Sequence, residues 1–279
     1  MAEDYREKYG EWALVLGGSE GLGRATAMDL AARGMDVALA ARRQGPLDEA
    51  AKLISDTHGV RTRTISLDLA DDNVVSAIER GMGGDDVSFI VYNAAAEPYG
   101  LFIDVPLDEH MFNIAVNVIT PTRIVHHFGR KMADRGRGGI VLCSSLAAAM
   151  GLRMWVAYGA AKGYENLLGE GLWDELGLRG VGACSFMIGT TYTDSFIRTQ
   201  EKLGGIYAKV KSFDELPEGF AVPQMPEDAS ANLFGQIDKE WLPVIFANPE
   251  DEARQKMMQD VPRKDLITMA GEAQKDWYA

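Results

Sequence analysis

The chain has 279 residues, of which 47% are hydrophobic and 25% charged, a balance typical of a globular protein with one large core. Its formal net charge of -13 disfavours nucleic acid or an anionic membrane as a partner. No stretch of sequence reaches the length of a membrane span, and the start of the chain has no basic segment followed by an apolar one. We therefore expect a single domain over residues 1–279 and a cytoplasmic location.

The cysteine and histidine content indicates no metal site. Cys143 and Cys184 each lie within an apolar run that predicts a buried strand, so we interpret them as reduced core thiols rather than a disulfide or metal pair. The four histidines and two cysteines show no spacing typical of metal ligands.

The first apolar run, Trp12 to Leu16, leads into a glycine-rich turn and then a helical pattern from Arg24 to Arg33. Strand, glycine turn and helix N-terminus are the components of a phosphate-binding cradle, because glycines let the backbone approach a pyrophosphate and the helix supplies amides and a partial positive charge. A turn with a structural role alone is the alternative. The predicted cofactor contacts in this turn are Gly17, Ser19, Glu20, Gly21, Leu22 and Gly23.

The second predicted strand, Asp36 to Ala41, ends in two arginines. In dinucleotide folds a carboxylate here binds the 2′-hydroxyl of NAD, whereas an arginine accommodates the 2′-phosphate of NADP. We predict NADP(H) in preference to NAD(H), with Arg42 as the main contact and Arg43 as the second. The negative charge of Glu20 in the glycine turn would repel an additional phosphate and so opposes this assignment. The alternative interpretation is that the two arginines are solvated and only precede a helix from Pro46 to His58.

The third and fourth predicted strands, Arg61 to Ser66 and Phe89 to Tyr92, each end in residues suited to a ligand. The third is followed by Asp68, whose carboxylate can accept a hydrogen bond from an adenine amino group, and by Leu69. The fourth runs into Asn93-Ala94-Ala95, where small side chains indicate that a flat ligand passes close to the backbone.

A helical pattern from Glu109 to Arg135 contains Asn117 in an apolar setting. A buried asparagine needs hydrogen-bond partners, which a backbone carbonyl or a water can provide. A fifth strand from Gly139 to Leu142 ends at Ser144 and Ser145. Because strands alternate with helical lengths throughout, we predict an α/β, Rossmann-like, doubly wound parallel sheet with its ligands at the carboxyl ends of the strands.

Tyr158 and Lys162 stand four residues apart in a segment of helical character. This spacing places the phenol and the ammonium on one face of a helix, about one turn apart. The ordinary tyrosine pKa of about 10 is too high for efficient proton exchange at neutral pH, and an adjacent cation stabilises the phenolate. Tyr158 is therefore a candidate general acid/base. Taken alone, the motif also fits a solvated helix face.

These motifs occur in the order and spacing of the short-chain dehydrogenase/reductase family, which the chain resembles over nearly its whole length. The resemblance implies that Tyr158 is the catalytic acid/base and that Lys162 lowers its pKa and binds the nicotinamide ribose. It also implies that Ser145 hydrogen-bonds the substrate oxygen and that Asn117 anchors a water in a proton relay. The implied reaction interconverts a secondary alcohol and a ketone.

The sequence departs from the family pattern after the predicted sixth strand, Val181 to Met187, where Ile188-Gly189 replaces proline-glycine. The path of this loop is therefore open. In the family it lies against the nicotinamide, which implies cofactor contacts from Gly189, Thr190, Thr191 and Thr193. Several departures are similar to one subgroup, the bacterial NADP-dependent 7β-hydroxysteroid dehydrogenases. This similarity implies a hydroxysteroid substrate, and a smaller apolar ketone is the alternative.

The segment 194–225 forms a substrate lid in relatives and here mixes apolar side chains with glycines. An irregular segment that packs on its own domain fits equally well. A seventh strand, Leu242 to Ala247, precedes a polar tail at 249–279, which in relatives caps the active site or a subunit interface. The residues predicted to line the substrate pocket are Ser145, Tyr99, Met150, Met154, Trp155 and Phe196.

The family implies a homodimer or homotetramer, with the contact made by the long helices that contain Asn117 and Tyr158.

Two functions of other classes remain open. A catalytically idle NADP-binding regulator would keep the glycine turn but has no reason to keep Ser145, Tyr158 and Lys162 together. A sugar-nucleotide epimerase shares the Tyr-x3-Lys chemistry, but such enzymes usually have a longer C-terminal substrate domain and a different glycine spacing.

Overall fold

A parallel β-sheet of seven strands forms the centre of the protein, for which a computed structural model describes residues 4–216 and 220–273. The strands lie in the order β3-β2-β1-β4-β5-β6-β7, and every neighbouring pair is parallel. The predicted doubly wound fold is confirmed. The strands are β1 (Trp12–Leu16), β2 (Asp36–Ala41), β3 (Thr62–Ser66), β4 (Val87–Tyr92), β5 (Gly138–Ser145), β6 (Val181–Ile188) and β7 (Val244–Phe246).

Helices and short helical turns connect these strands. They are α1 (Tyr5–Lys8), α2 (Gly21–Ala32), α3 (Gln44–His58), α4 (Val74–Met82), α5 (Leu107–Ile114), a π-helical segment (Ala115–Ile119), α6 (Thr120–Arg135), a 3-10 turn (Leu146–Ala149), α7 (Val156–Gly177), α8 (Asp194–Leu203), α9 (Ile206–Lys209), a second 3-10 turn (Phe213–Glu215), α10 (Pro226–Ile237), α11 (Pro249–Met258) and α12 (Arg263–Ala273). Across the described ranges, none of these helices combines the length and the apolar character needed to cross a membrane.

Both faces of the sheet are buried, and the side chains of β1 show why. Ala13 and Val15 pack in one core layer, whereas Leu14 and Leu16 pack in the other. This alternation follows from the two-residue period of a strand. Because both faces need apolar side chains, the strands read as nearly continuous hydrophobic runs. Most of the seven strands could therefore be predicted from hydrophobic runs in the sequence.

Cys143 and Cys184 lie in the same core layer, on the neighbouring strands β5 and β6, and both are buried free thiols. The prediction that they are reduced core residues is confirmed. Burial raises the pKa of the Cys143 thiol to about 12, although the nearby Lys162 ammonium acts in the opposite direction. Neither thiol therefore has the character of a reactive cysteine.

The topology places a crevice at the point where the strand order reverses. β1 lies between β2 and β4, and its last residue, Leu16, pairs with Tyr92 at the end of β4. Loops that leave these two strand ends diverge to opposite sides of the sheet, which is where open α/β sheets bind ligands. The Asn93 and Ala94 amides both donate to the Leu16 carbonyl, at 3.0 and 2.9 Å, and hold the two loops together.

Three helical features differ from the sequence prediction. Helix α2 begins at Gly21 rather than Arg24, because the glycines that lower helix propensity are themselves in its first turn. Helix α4 was missed, although Val74, Ile78 and Met82 recur at four-residue spacing on its buried face. The helix predicted from Glu109 to Arg135 is interrupted by the π-helical segment, a feature frequent at functional sites.

The tail residues Trp277 and Tyr278, which we expected to dock, lie outside the described residues.

Candidate active site

A cavity of about 1100 Å³ opens at the carboxyl ends of the strands. It exceeds the roughly 300–1,000 Å³ of typical small-ligand pockets, as expected for a site that holds a dinucleotide and a substrate together. The predicted cofactor residues that line it are Gly17, Ser19, Glu20, Gly21, Leu22, Arg42, Arg43, Asp68, Leu69, Asn93, Ala94, Ala95, Tyr158, Gly189, Thr190, Thr191 and Thr193. Gly23 and Lys162 do not line the cavity, because both are buried behind it.

The glycine turn has the close packing that a phosphate cradle requires. Gly17 has a φ of +80°, and a methyl group there would lie 2.8 Å from the Ala94 amide nitrogen. A methyl group on Gly23 would approach the Gly17 carbonyl oxygen to 2.0 Å. Gly23 therefore lets helix α2 pack against the turn, while Gly17 and Gly21 face the cavity.

Replacement of Gly23 by alanine should abolish high-affinity NADPH binding, because the backbone of the turn would have to move away from the helix. Gly45→Ala is the matched control, since no atom lies within 4 Å of a methyl group there. Fluorescence titration with NADPH measures both variants, and circular dichroism checks folding. Wild-type affinity in Gly23→Ala would show that the turn does not bind the cofactor.

The first turn of α2 is arranged to accept an anion. Glu20 occupies the N-cap position, but its side chain does not cap the helix amides. It instead forms ion pairs with Arg43, at 2.8 Å, and with Arg198. Burial raises the pKa of Glu20, but the hydrogen bonds from Arg198 and Arg43 outweigh burial and lower it overall. The charge of Glu20 is thus compensated, which removes the objection it posed to NADP.

The two arginines after β2 differ in their surroundings. Arg43 is paired with Glu20, whereas the guanidinium of Arg42 lies over the ring of Phe112, 5.7 Å from its centre. Among the described residues, no carboxylate forms an ion pair with Arg42. The residues around the cavity thus fit a dinucleotide, with two arginines near the end of β2.

Ser145 and Tyr158 meet at the inner part of the cavity. Ser145 ends β5, and its Oγ accepts a hydrogen bond from the Ala147 amide at 3.2 Å. The Tyr158 phenol, in the first turn of α7, lines the same cavity, and the Ser145 side chain acts to lower its pKa. A carbonyl oxygen placed beside this pair would meet two hydroxyl donors at once.

Lys162 lies one turn along α7 from Tyr158, as the four-residue spacing predicted. Its Nζ donates to the Cys143 carbonyl and to Glu165 Oε2, both at 2.7 Å, and lies 5.8 Å from the centre of the Tyr158 ring. Burial raises the pKa of Tyr158 above its ordinary value, Glu97 and Glu165 raise it further, and the Ser145 hydrogen bond opposes them. The lowering by Lys162 that the family resemblance implies stays a prediction.

Asn117 is fully buried in the π-helical segment and holds the loop that follows β4. Its Oδ1 accepts from the Ala96 amide at 2.9 Å, and its Nδ2 donates to the Ala96 carbonyl at 2.7 Å. Asn113 donates to the same carbonyl, also at 2.7 Å. The side chain of Asn117 therefore engages the backbone, one of the two partners that the sequence left open.

Two of the six predicted substrate residues do not line the cavity. Ser145, Met150, Trp155 and Phe196 do, whereas Tyr99 and Met154 do not. The ring of Tyr99 packs edge-on against Trp155, with ring centres 4.9 Å apart, so it supports a lining residue from behind. Met154 has a φ of +67°, an uncommon conformation for a residue with a side chain, and its carbonyl accepts from the Gly100 amide. Both residues thus fix the position of the loops around Trp155.

The loop after β6, in which Ile188-Gly189 replaces the family's proline-glycine, has a defined path. The Tyr192 amide donates to the Gln224 carbonyl at 2.8 Å, and the Gln224 amide donates to the Thr190 carbonyl at 2.9 Å. Thr193 caps helix α8 by accepting from the Phe196 amide at 3.0 Å. Backbone pairing with Gln224 therefore takes the place of the rigidity that proline would supply.

Several lining residues were not predicted. Glu97 places its carboxylate in the cavity, where Oε1 accepts from the Trp155 indole at 2.6 Å. Burial raises the pKa of Glu97, and the Trp155 hydrogen bond and Lys162 act against this. Glu97 could have been predicted as a lining residue, because it is a charged residue that interrupts the stretch of small side chains after Asn93-Ala94-Ala95. Helix α11 contributes Asp251, Arg254, Gln255 and Met258, for which the local sequence gives no such signal.

Comparison with known proteins agrees with this geometry. A sequence profile described as short chain dehydrogenase matches residues 11–204. The 7β-hydroxysteroid dehydrogenase of Clostridium sardiniense is 29% identical over 268 residues, which cover 96% of this chain and 97% of the relative. The enzyme of the same name from Collinsella aerofaciens is 32% identical over 238 residues, or 84% and 86% of the two chains.

Similarity in three dimensions extends over almost the whole chain. A solved structure of a 7β-hydroxysteroid dehydrogenase superposes with a TM-score of 0.86 at 26% identity, covering 96% of this chain and 99% of that chain. The profile match, these relatives and the Ser145–Tyr158 pair beside the glycine turn lead to one conclusion. The chain belongs to the short-chain dehydrogenase/reductase family and is an oxidoreductase that acts on CH–OH groups with a nicotinamide cofactor.

Proposed function

We propose that the protein is an NADP(H)-dependent oxidoreductase that interconverts a hydroxysteroid and the corresponding ketosteroid. The observation that carries the proposal is that Ser145 and Tyr158 line one cavity together with the glycine turn and Arg42. This arrangement brings a proton donor, a phosphate site and a substrate space into one crevice.

The residues divide the chemistry between them. A nicotinamide cofactor, when bound, would supply a hydride to the carbonyl carbon in reduction and would accept one from the alcohol carbon in oxidation. Tyr158 donates a proton to the substrate oxygen in reduction and takes one from it in oxidation. Ser145 hydrogen-bonds the same oxygen and stabilises the negative charge that develops on it. Asn117 holds the loop after β4, and Lys162 occupies the base of the site behind Tyr158.

The pKa of Tyr158 affects how the rates of ketone reduction and alcohol oxidation depend on pH. Because burial and nearby carboxylates raise it, the phenol keeps its proton at neutral pH. A protonated phenol is the form required for ketone reduction, whereas alcohol oxidation requires the phenolate. We therefore infer that the rate of alcohol oxidation rises with pH as the phenolate forms.

The preference for NADP(H) rests on the end of β2. Arg42 and Arg43 stand where a dinucleotide fold meets the adenosine ribose, and no acid follows Ala41. The ion pairs of Glu20 remove its repulsion of an additional phosphate. A 2′-phosphate would therefore meet two guanidinium groups, of which Arg42 is the one not engaged by Glu20.

The proposed substrate rests on the relatives and on the apolar part of the cavity. Both curated relatives described above are 7β-hydroxysteroid dehydrogenases. Apolar side chains, which suit a broad apolar ligand, line the same cavity as Ser145. They are Met150, Leu152, Trp155, Phe196 and Met258. A smaller apolar ketone remains the second candidate because the same lining would accept it.

Product stoichiometry tests the reaction class. The chain is incubated with NADPH and a ketosteroid, and the NADP⁺ and hydroxysteroid formed are quantified by chromatography. The proposal predicts equal amounts of the two. An epimerase would recycle the cofactor and a regulator would consume none, so either of those outcomes would contradict the proposal.

We also propose that the protein assembles as a homodimer or homotetramer through α5 and α7. Apolar side chains on these helices are unusually exposed: Leu107 by 71%, Met111 by 53% and Leu167 by 70%. Exposed apolar side chains of this size, where they group together, mark interaction sites. A symmetric contact would bury the same helices from two copies of the chain.

The double substitution Met111→Glu with Leu167→Glu should convert this oligomer to monomers, because buried carboxylates would then face each other without partners. Light scattering coupled to size-exclusion chromatography measures the mass. Leu53→Glu, on the exposed side of α3, is the matched control. An unchanged oligomer in the double variant would place the interface elsewhere.

A further inference from the structure

A carboxylate lies in the cavity among apolar lining residues. Glu97 belongs to the loop after β4 and lines the cavity together with Met150, Leu152 and Phe196. The surrounding protein raises the pKa of Glu97 by burial, yet the residue keeps an exposed surface. These observations describe a side chain that is enclosed by protein and open toward the cavity. Glu97 takes no part in the proton and hydride transfer.

One oxygen of this carboxylate has a partner and the other has none. Oε1 accepts a hydrogen bond from the Trp155 indole nitrogen at 2.6 Å. Among the residues that the structure describes, no donor is hydrogen-bonded to Oε2. A polar atom enclosed by protein normally has a hydrogen-bond partner, so an acceptor without one in a cavity is available to a ligand.

The position of Glu97 is fixed from two sides. The preceding residue, Ala96, is held by Asn117, which accepts from its amide at 2.9 Å and donates to its carbonyl at 2.7 Å. Trp155 is the N-cap residue of α7, and the ring of Tyr99 packs edge-on against it. The Glu97–Trp155 hydrogen bond thus joins the loop after β4 to the start of the helix that contains Tyr158.

This placement brings the acceptor close to the reaction centre. Trp155 precedes Tyr158 by three residues, which is less than one turn of the helix. Burial raises the pKa of Tyr158, and the charge of Glu97 raises it further, so the two side chains are within electrostatic reach. A ligand with its oxygen at Tyr158 therefore has a second polar group of the protein nearby.

We propose that Glu97 is a specificity-determining residue: its Oε2 accepts a hydrogen bond from a hydroxyl group of the substrate other than the oxygen that reacts. The inference rests on the proposed function, because it defines the substrate as a ketone with a hydroxyl at a second ring position. A carboxylate left without a donor in an apolar space is costly, so a substrate with hydrogen at that position binds less tightly. A second ketone there would place its oxygen against the carboxylate.

Glutamine at this position should reverse the preference. Its carbonyl oxygen takes the place of Oε1 as the acceptor for the Trp155 indole, which turns its amide nitrogen toward the cavity. Because this nitrogen is a donor, Glu97→Gln should favour a second ketone over a hydroxyl. A residue that only ties two loops together would not produce such a reversal.

Matched ketones test the proposal in the NADPH-bound protein. Each set has three compounds that share the reacting ketone and differ at one other ring position, which holds a hydroxyl, a hydrogen or a second ketone. Sets are made on steroids and on smaller fused rings, and the varied position is moved around each ring system. Isothermal titration calorimetry measures the dissociation constants in a Tyr158→Phe background, where reduction is too slow to disturb the measurement.

We expect at least one set in which the hydroxyl compound binds roughly 10- to 100-fold more tightly than the other two and in which Glu97→Gln prefers the diketone. Glu49→Gln, at an exposed glutamate on α3 that does not line the cavity, should leave the order unchanged. Equal affinities in every set, no measurable binding, or an unchanged order in Glu97→Gln would overturn the proposal. If Glu97→Gln does not fold, Glu97→Ala should bind the three compounds equally, and a hydroxyl preference that persists there would overturn it.

Turnover by the protein with Tyr158 intact separates this proposal from the proposed function. The expected order of affinities without reduction of any ketone would support the role of Glu97 and contradict the proposed function. Reduction of ketosteroids with equal affinities in every set would retain the proposed function and overturn the role of Glu97. A loss of NADPH affinity in Glu97→Gln with an unchanged order of ketones would assign Glu97 to the cofactor, which also overturns the proposal.

Discussion

Tyr158→Phe is expected to lower kcat for ketone reduction by a factor of about 10² to 10⁴ while leaving NADPH affinity nearly unchanged. The substitution removes one hydroxyl, the proposed proton donor that lines the cavity with Ser145, and keeps the ring that packs beside Lys162. Steady-state kinetics measure kcat, and fluorescence titration measures the dissociation constant of NADPH.

Tyr164→Phe provides the matched control for this prediction. Tyr164 lies on the same helix, but its hydroxyl is hydrogen-bonded to Thr122 and not to Ser145. The control should retain most of the activity. Tyr158→Phe with activity near that of the wild type would eliminate the acid/base assignment, whatever the identity of the substrate.

Arg42→Ala is expected to weaken NADPH binding by roughly 10- to 100-fold and to leave NADH binding almost unchanged. The loss of one charge-assisted contact to a phosphate has an energy that corresponds to such a change. NADH has no 2′-phosphate and therefore no such contact to lose. Arg43→Ala should have the smaller effect, because Glu20 already engages that guanidinium.

Dissociation constants for both cofactors, measured at one fixed ionic strength, test this assignment. Arg80→Ala removes an exposed arginine on α4 and controls for the change in net charge. An equal loss for NADPH and NADH would mean that Arg42 stabilises the site as a whole and does not select the cofactor.

The strands that build the site were largely predictable because the information for them is local. Trp12–Leu16 and Asp36–Ala41 have the predicted bounds, since each is an apolar run ended by a glycine or by charged residues. The carboxyl ends of parallel strands meet at one edge of the sheet, so polar residues that follow them come together. That rule alone placed Asp68, Asn93 and Ser145 around one cavity.

The contacts of individual side chains were less predictable because they depend on packing between distant segments. Tyr99 and Met154 are close in sequence to lining residues but point away from the cavity. The contribution of α11 depends on how this helix packs against β7 and places Asp251 beside Gly189, which no local pattern encodes. The i to i+3 spacing of Lys162 and Glu165 was visible in the sequence, but the burial that makes their pairing matter was not.

Initial rates of NADPH and NADH oxidation across a set of ketones test the central claim most directly. The set comprises ketosteroids with the ketone at different ring positions, together with small aryl and alkyl ketones. We predict that at least one ketosteroid is reduced, faster with NADPH than with NADH, and that Tyr158→Phe abolishes the rate. A folded protein that binds NADPH but oxidises it with none of these ketones would contradict the account.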